Sequence, residues 1–399
     1  MPTSTRIDRV RGCLLGLAIG DALGAPLEGL GAQQIRAHYR LVTDYVDGAR
    51  AWKKKPYRWR LPGLYTDDTQ QALALADVVL AHGRVDLDHL ASIYLDMAIP
   101  EEGYAGAHRG VGRSFRQVLA DLKRGVCPTQ TGQASAGIGS AMRIAPLALY
   151  FSDDPEALHQ AVMAASLMTH RDVRSITGAL AVAFAVRRIL EGDARDASFL
   201  FRVAADVARS ETRIIEEAAL GNRLASVEAH GRSMSQAIAR TEALLDVPRE
   251  RALAALVEEA NRHGAEPICR RATMGFPPAC IPACFYLFLT TDTFEEALTE
   301  VVNLGGDADS TGAILGSLAG AYYGVDSLPR RWLDGLQNRE GVDARAVALA
   351  HRSTLGIEIP DLIATEQVLT ARETVCRNHL MTSATPNANG GDLGANRRV

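Results

Sequence analysis

The chain has 399 residues, of which 47% are hydrophobic and 23% are charged, and its formal net charge at pH 7 is −4. This is the composition of an ordinary globular protein. The slight acidic excess does not indicate nucleic-acid binding, because proteins that bind a phosphate backbone normally carry a basic excess or a basic stripe.

The cysteines and the apolar segments give an expectation about the compartment. The first eleven residues are polar and contain no cleavage-like site, and we identify no apolar stretch of the ~20 residues that cross a bilayer. The six cysteines form no CxxC pair; they are Cys13, Cys127, Cys269, Cys280, Cys284 and Cys376. We therefore expect a cytoplasmic protein with reduced thiols and no membrane partner.

Alanine- and leucine-rich segments with helical periodicity dominate the chain, and short Gly, Pro and Asp breaks separate them. They predict helices over 70–80, 115–123, 140–150, 155–167, 172–190, 204–224, 250–263, 294–302 and 311–323. The best strand-like run, 41–46, is short. The sequence therefore predicts an all-α fold, with one compact multi-helix domain over 1–365. A disordered tail is predicted over 370–399, which is poor in large apolar residues.

Three predicted helical segments, 12–20, 178–185 and 312–321, are unusually rich in small residues. Glycine inside a helix costs about 0.5–1 kcal/mol relative to alanine. Because the chain accepts this cost in three helices, we expect close contact between helices at the centre of the bundle.

Two acidic segments each lead from a glycine-containing loop into an alanine-rich helix: YTDDT at 65–69 and GGDADST at 305–311. One interpretation is capping, with Asp67 and Gln70 forming a capping box and Asp309 or Ser310 serving as an N-cap. Capping explains only one carboxylate per helix, whereas paired carboxylates repel each other unless a cation lies among them. Oxygen donors without His or Cys suit Mg²⁺, Mn²⁺ or Ca²⁺. The residues alone leave both interpretations open.

Three further features are ordinary when they are taken singly. Glu28 ends a Gly/Ala/Pro turn, as many surface glutamates do. His170 lies at a predicted helix start, where a single histidine usually faces solvent. The basic run at 53–55, with Arg58 and Arg60 after it, is typical of a solvated loop.

Taken together, five segments resemble the ADP-ribosylglycohydrolase family. They are GCLLGLAIGDALG at 12–24 with Glu28 after it, YTDDT at 65–69, GIGSAMR at 137–143, Thr169-His170, and GGDADS at 305–310. Each motif is weak by itself, but five in order with helical spacers are specific, and they span about residues 7–325.

The resemblance implies an orthogonal all-α bundle with two divalent cations, Mg²⁺ or Mn²⁺. Such an enzyme cleaves the glycosidic bond at C1″ of an ADP-ribosyl group on a protein or small-molecule acceptor and releases ADP-ribose. The implied catalytic residue is Glu28. The implied metal ligands are Thr66, Asp67, Asp68, Asp307, Asp309 and Ser310. The implied substrate-binding residues are Gly112, Arg113, Ser114, Gly137, Gly139, Ser140, Met142, His170 and Gly305.

The chain departs from the family pattern near the expected substrate. One branch of the family has Asp-Ile-Gly where this chain has Gly110-Val111-Gly112, and Ile138 stands where the family usually has Asn. Two alternatives therefore remain: a catalytically retired ADP-ribose-binding protein, and a phosphoester hydrolase with two metals.

Overall fold

A computed structural model describes residues 4–217 and 224–383. The described residues form α-helices and short 3-10 turns, with isolated β-bridges and no strands. The all-α prediction is confirmed. The strand suggested at 41–46 does not form, because side chains of distant helices bind this backbone: the amide of Asn303 pairs with the N–H and C=O of Val42, and Trp332 Nε1 donates to Thr43 O.

The helices are named here in chain order. They are α1 (Arg6–Gly24), α2 (Ala32–Tyr39), α3 (Asp67–His82), α4 (Leu87–Met97), α5 (Arg113–Lys123), α6 (Ala145–Tyr150), α7 (Pro155–Leu167), α8 (Val173–Glu191), α9 (Ala197–Glu216), α10 (Val227–His230), α11 (Ser233–Thr241), α12 (Arg249–Arg262), α13 (Pro277–Thr290), α14 (Phe294–Leu304), α15 (Ala308–Tyr323), α16 (Arg330–Gly335), α17 (Arg339–His351) and α18 (Leu362–Ser383).

Most predicted helices lie within a few residues of these bounds, and two differ more. The helix predicted over 140–150 begins only at Ala145, because Pro146 favours a helix start and a separate 3-10 turn, Ile138–Ser140, precedes it. The helix predicted over 204–224 runs from Ala197 to Glu216, and positions 218–223 of that prediction lie outside the described residues.

The first helix and α15 cross at the centre of the bundle with their backbones in contact. A Cβ placed on Gly12, Gly16 or Gly20 would lie 2.3, 2.3 or 2.0 Å from the carbonyl oxygens of residues 320, 316 and 312 respectively. These partner positions are also glycines, so two of the three small-residue segments, 12–20 and 312–321, provide the close contact that the sequence predicts. The crossing brings the end of α1 next to the start of α15.

The stretch Arg6–Leu27, which contains α1, is long and apolar enough to cross a membrane by length and composition alone. This corrects the expectation that no stretch reaches that length. In the fold, 94% of its 18-residue apolar window is buried inside the protein, as is typical of a central core helix.

The tail predicted over 370–399 is helical as far as Ser383, where α18 ends, and residues 384–399 lie outside the described part. The prediction failed for 370–383 because polar groups hold much of this helix. Thr370 and Glu373 are buried, and Glu373 forms an ion pair with Arg377. Arg60, expected in a solvated loop, is also buried here, 3.9 Å from Glu373.

Candidate active site

The start of α3 is not capped in the way the sequence suggested. Its N-cap residue is Thr66, and the carboxylate of Asp21 in α1 accepts the backbone N–H groups of Thr66 and Thr69 at 2.9 and 3.0 Å. The same carboxylate accepts both threonine hydroxyls, at 2.8 and 2.6 Å. The predicted capping box of Asp67 with Gln70 is therefore wrong, because Asp67 is already the first residue of the helix and the N–H of Gln70 donates to Thr66 O.

The second acidic segment also does not cap its helix in the predicted way. The N-cap of α15 is Asp307, without a side-chain cap hydrogen bond, and Asp309 and Ser310 lie inside the first turn. Neither Asp309 nor Ser310 is therefore the N-cap. At neither helix start does a carboxylate of these two segments form the side-chain hydrogen bond of an N-cap.

One cavity of about 460 Å³ gathers most of the predicted site residues. Those that line it are Glu28, Asp67, Asp68, Gly112, Arg113, Ser114, Gly137, Gly139, Met142, His170, Asp307, Asp309 and Ser310. Segments from both ends of the chain therefore meet in one cleft.

Three predicted residues lie behind the cavity wall. Thr66 is buried and gives its hydroxyl hydrogen to Asp21. Ser140 is buried with its Oγ 3.3 Å from His170 Nδ1, so it contacts a lining residue rather than the cavity. Gly305 has φ +70°, and a Cβ there would lie 2.3 Å from the carbonyl oxygen of Leu30, which makes it a backbone packing position.

The aspartates form a buried acidic wall, whose carboxyl groups burial shifts toward the protonated form. Burial and then the neighbouring charges of Asp21 and Glu28 raise the pKa of Asp67 to about 8. Burial and nearby carboxylates also raise the pKa values of Asp68 and Asp309 well above their usual range. Such a group is costly to bury unless positive charge balances it.

The donor atoms of this wall fit a divalent cation chemically. All are oxygens, and Asp68 Oδ2 is buried without a hydrogen-bond partner. Backbone glycine lies close to the wall: a Cβ on Gly275 would be 2.4 Å from Asp307 Oδ2. Among the described residues, however, no three His, Cys, Asp or Glu side chains already form a cation-binding cluster. The carboxylates share a wall without converging on one point.

A buried chain of side chains holds Asp67, and the sequence did not reveal it. Gln71 Nε2 donates to Asp67 Oδ2 at 2.7 Å, and Arg143 Nη1 donates to Gln71 Oε1. Arg143 Nη2 donates to Ala165 O and Thr169 Oγ1 at 2.9 and 2.7 Å. The contact between Gln71 and Asp67 could have been predicted, because their i, i+4 spacing places both side chains on one face of a helix. The contact between Arg143 and Gln71 could not, because these residues are far apart in sequence.

The facing wall carries the glycine loops. A Cβ on Gly139 would lie 2.8 Å from His170 Cε1, so this loop approaches the imidazole as only glycine allows. Burial, and then the positive charge of Arg143, lower the pKa of His170 to about 3, so its ring is neutral at physiological pH. Gly112 is the N-cap of α5 and has no side-chain cap, which leaves backbone N–H groups of the first turn without a side-chain partner.

The sequence departure at Gly110 has a structural counterpart. Gly110 has φ +79°, and a Cβ there would lie 3.0 Å from Thr66 Cβ and 3.1 Å from Asp67 Oδ1. An aspartate at this position would be strained and would meet another carboxylate. The conformation and packing of this loop therefore favour glycine at position 110.

Glu28 lines the cavity and is partly exposed. Its Oε2 accepts Arg58 Nη1 at 2.7 Å, so Arg58 is not the freely solvated side chain that the sequence suggested. The next residue, Gly29, donates its N–H to Gly306 O at 2.7 Å. This contact ties the Glu28 turn to the loop that carries Asp307.

Comparison with known proteins gives consistent results. The sequence profile described as ADP-ribosylglycohydrolase matches residues 2–358. The chain is 29% identical over 332 residues to the ADP-ribosyl-[dinitrogen reductase] glycohydrolase of Rhodospirillum rubrum, covering 82% of this chain and 90% of the relative. It is 30% identical over 361 residues to the ADP-ribosylhydrolase ARH3 of Bos taurus, covering 87% and 93%.

A solved structure described as an ADP-ribosylglycohydrolase-related protein complex superposes with a TM-score of 0.61 at 30% identity, covering 87% of this chain and 99% of that one. Sequence profile, relatives and fold agree over the region that builds the cleft. The chain therefore belongs to the ADP-ribosylglycohydrolase family, whose members are glycohydrolases of ADP-ribosyl linkages.

Proposed function

We propose that this protein is a metal-dependent hydrolase that cleaves the glycosidic bond at C1″ of an ADP-ribosyl group on a protein or small-molecule acceptor and releases ADP-ribose. The observation that carries the proposal is the single cavity in which Asp67 and Asp68 of α3, Asp307 and Asp309 at the start of α15, and Glu28 all take part. No capping role accounts for these carboxylates.

The residues that would hold two divalent cations, Mg²⁺ or Mn²⁺, are Thr66, Asp67, Asp68, Asp307, Asp309 and Ser310. When bound, the cations would orient the ribose hydroxyls and lower the pKa of a water molecule. The hydroxyl of Thr66 donates to Asp21, which leaves its oxygen lone pairs as donors toward a cation.

Glu28 is the proposed proton-transfer residue. Its carboxylate reaches the cavity and is held at one oxygen by Arg58, which leaves the other oxygen for a water molecule or a leaving group. Hydrolysis of a glycosidic bond passes through an oxocarbenium-like transition state, and a carboxylate in this position activates the water or assists departure of the acceptor.

The facing wall, which carries the glycine loops, suits the rest of an ADP-ribosyl group. The N-terminus of α5, with Arg113 and Ser114 on the cavity, offers backbone N–H groups and a positive side chain to a diphosphate. Gly137 and Gly139 let the backbone approach the ligand closely. His170, neutral at physiological pH, contributes a hydrogen bond without a charge.

The test is to incubate the protein with ADP-ribosylated arginine, ADP-ribosylated serine and nucleotide phosphoesters, with and without Mg²⁺ or Mn²⁺. The proposal predicts metal-dependent release of ADP-ribose from an ADP-ribosylated substrate. Release of phosphate instead would support a phosphoester hydrolase. Metal-dependent binding of ADP-ribose without turnover of any substrate would support a retired enzyme that only binds.

A further inference from the structure

The last helix, α18, lies beyond the region matched by the family profile, which ends at residue 358. It nevertheless places a fully buried carboxylate, that of Glu366, in the protein interior. Glu366 accepts hydrogen bonds from Tyr65 Oη at 2.6 Å, Gln70 Nε2 at 2.7 Å and Arg109 Nη2 at 2.5 Å. One side chain of this helix therefore joins three separate points of the domain.

These three points surround the acidic wall of the cleft. Tyr65 and Gln70 bracket the segment 66–69, which begins α3 and carries two of the aspartates. Arg109 immediately precedes Gly110, the glycine that lies against Thr66 and Asp67. The network thus lies directly behind the cleft, on the side away from the cavity.

Further contacts tie the loop before α5 to both helices. Arg109 donates its backbone N–H to Gln70 Oε1 at 3.0 Å and its Nε to Tyr65 O at 3.1 Å. Arg109 Nη1 donates to Thr370 Oγ1 at 2.9 Å, and Thr370 Oγ1 donates to Ala107 O at 3.0 Å. With these bonds, the loop before α5 is held between α3 and α18; together with the first two residues of that helix it is called here the loop 107–114.

General stabilisation alone is a weak explanation for such a network. A buried ion pair often contributes no more stability than apolar side chains of similar volume, because the desolvation cost offsets the attraction. Hydrogen bonds are directional and permit only one arrangement of the side chains in this network, whereas apolar packing does not impose such an arrangement. The bonds from Glu366 determine where Arg109, and with it the N-terminus of α5, lies relative to Asp67.

We infer that α18 is a positioning element of the cleft: through Glu366 and Arg109 it fixes the loop 107–114 against the start of α3, so that the phosphate-binding end of α5 faces the acidic wall at the correct distance. Glu366 is a positioning residue that acts through Arg109. The inference rests on the proposed function for what the loop binds, but the mechanical coupling can be measured without any ligand.

The test compares two variants of the full chain. Glu366→Gln keeps the size of the side chain and removes the charge that Arg109 requires. Leu369→Ala, on the same helix, removes buried apolar surface and leaves the network intact. Hydrogen–deuterium exchange without ligand is measured over 107–114, 66–71 and the reference helix α13, beside unfolding in urea.

Glu366→Gln is expected to speed exchange over 107–114 and 66–71 about tenfold or more relative to α13, as loss of a charge-assisted hydrogen bond predicts. Leu369→Ala is expected to lower stability without this local effect. The inference is overturned if both variants accelerate exchange evenly, or if Glu366→Gln leaves 107–114 unchanged. If Glu366→Gln does not fold, Thr370→Val, which removes the hydrogen bonds of this hydroxyl with Arg109 and Ala107, takes its place under the same criteria.

Kinetics then link the coupling to the cleft. With an ADP-ribosylated substrate, Glu366→Gln is expected to raise KM several-fold more than it lowers kcat, and Leu369→Ala is expected to leave both near the parent values. Equal effects of the two variants on KM would contradict the positioning role. If the parent protein hydrolyses none of the substrates, the proposed function is wrong. The hydrogen–deuterium exchange result would still show whether Glu366 couples α18 to the loop 107–114.

Discussion

Gly20 in α1 and Gly312 in α15 are in direct backbone contact: a Cβ on Gly20 would lie 2.0 Å from Gly312 O, and a Cβ on Gly312 would lie 2.3 Å from Gly20 O. Asp21 follows the first glycine, and Asp309 lies one turn before the second. The contact between two glycines therefore sets the separation between the acidic groups of the two chain halves.

This contact predicts that Gly312→Ala destabilises the protein by about 1–3 kcal/mol or more, since a methyl group there overlaps a backbone that cannot move away. The measurement is the free energy of unfolding in urea. The matched control is Gly112→Ala, where an added Cβ meets no atom within 4 Å and φ is −71°. If the two variants have equal free energies of unfolding, the close contact between α1 and α15 does not limit the stability of the protein.

Loss of the Glu28 carboxylate is expected to lower kcat about 10²–10⁴-fold, the usual contribution of a positioned acid–base group. We expect Glu28→Gln to bind ADP-ribose with nearly parental affinity, because the phosphate and ribose contacts lie elsewhere in the cavity. Turnover assays and calorimetric titration of ADP-ribose check the two halves of this prediction. Parent-like turnover in Glu28→Gln would remove this residue from the mechanism.

The bond from Gln71 to Asp67 predicts an effect on cation affinity. Gln71→Leu frees Asp67 to rotate and leaves Arg143 without one acceptor, so affinity for Mn²⁺ is expected to fall about 10–100-fold, as for other residues that orient metal ligands. Gln160→Leu on the exposed face of α7 is the control and is expected to change nothing. Equal Mn²⁺ affinities in both variants would contradict the orienting role.

A pH dependence of stability is expected from Glu211 in α9. Its carboxylate is buried against the N–H groups of Met234 and Ser235, and burial raises its pKa from 4.5 to about 7. Between these values the unfolded chain loses a proton that the folded chain keeps, so stability falls as pH rises from about 4.5 to 7, by at most about 1.4 kcal/mol per pH unit.

The variant Glu211→Gln should remove this part of the slope, leaving it more stable relative to the parent at pH 8 than at pH 5. Urea unfolding at both values measures the difference. The exposed Glu242→Gln is the control and should follow the parent. A parental slope in Glu211→Gln would show that this carboxyl does not carry the effect.

The sequence predicted the helices well where apolar periodicity is strong, as in α7, and poorly where polar contacts hold the helix, as in α18. It also identified most residues that line the cavity, because the acidic and glycine motifs are local. Contacts between distant residues were not readable: Asp21 caps α3, Arg143 reaches Asp67 through Gln71, and Glu366 joins Tyr65, Gln70 and Arg109. The capping prediction for α3 missed the distant Asp21, whereas the prediction for α15 failed because that helix begins at Ala308, earlier than the sequence suggested.

The proposed activity depends on a cation site that aspartates from the two halves of the chain would form jointly. Its most direct test is titration of Mn²⁺ into the chelator-treated protein, followed by calorimetry or electron paramagnetic resonance, for the parent, Asp68→Asn and Asp309→Asn. A shared site predicts saturable binding of two ions per chain in the parent and a large loss of affinity in each variant, although Asp68 belongs to α3 and Asp309 to α15. Absence of saturable binding in the parent, or parental binding in either variant, would contradict it.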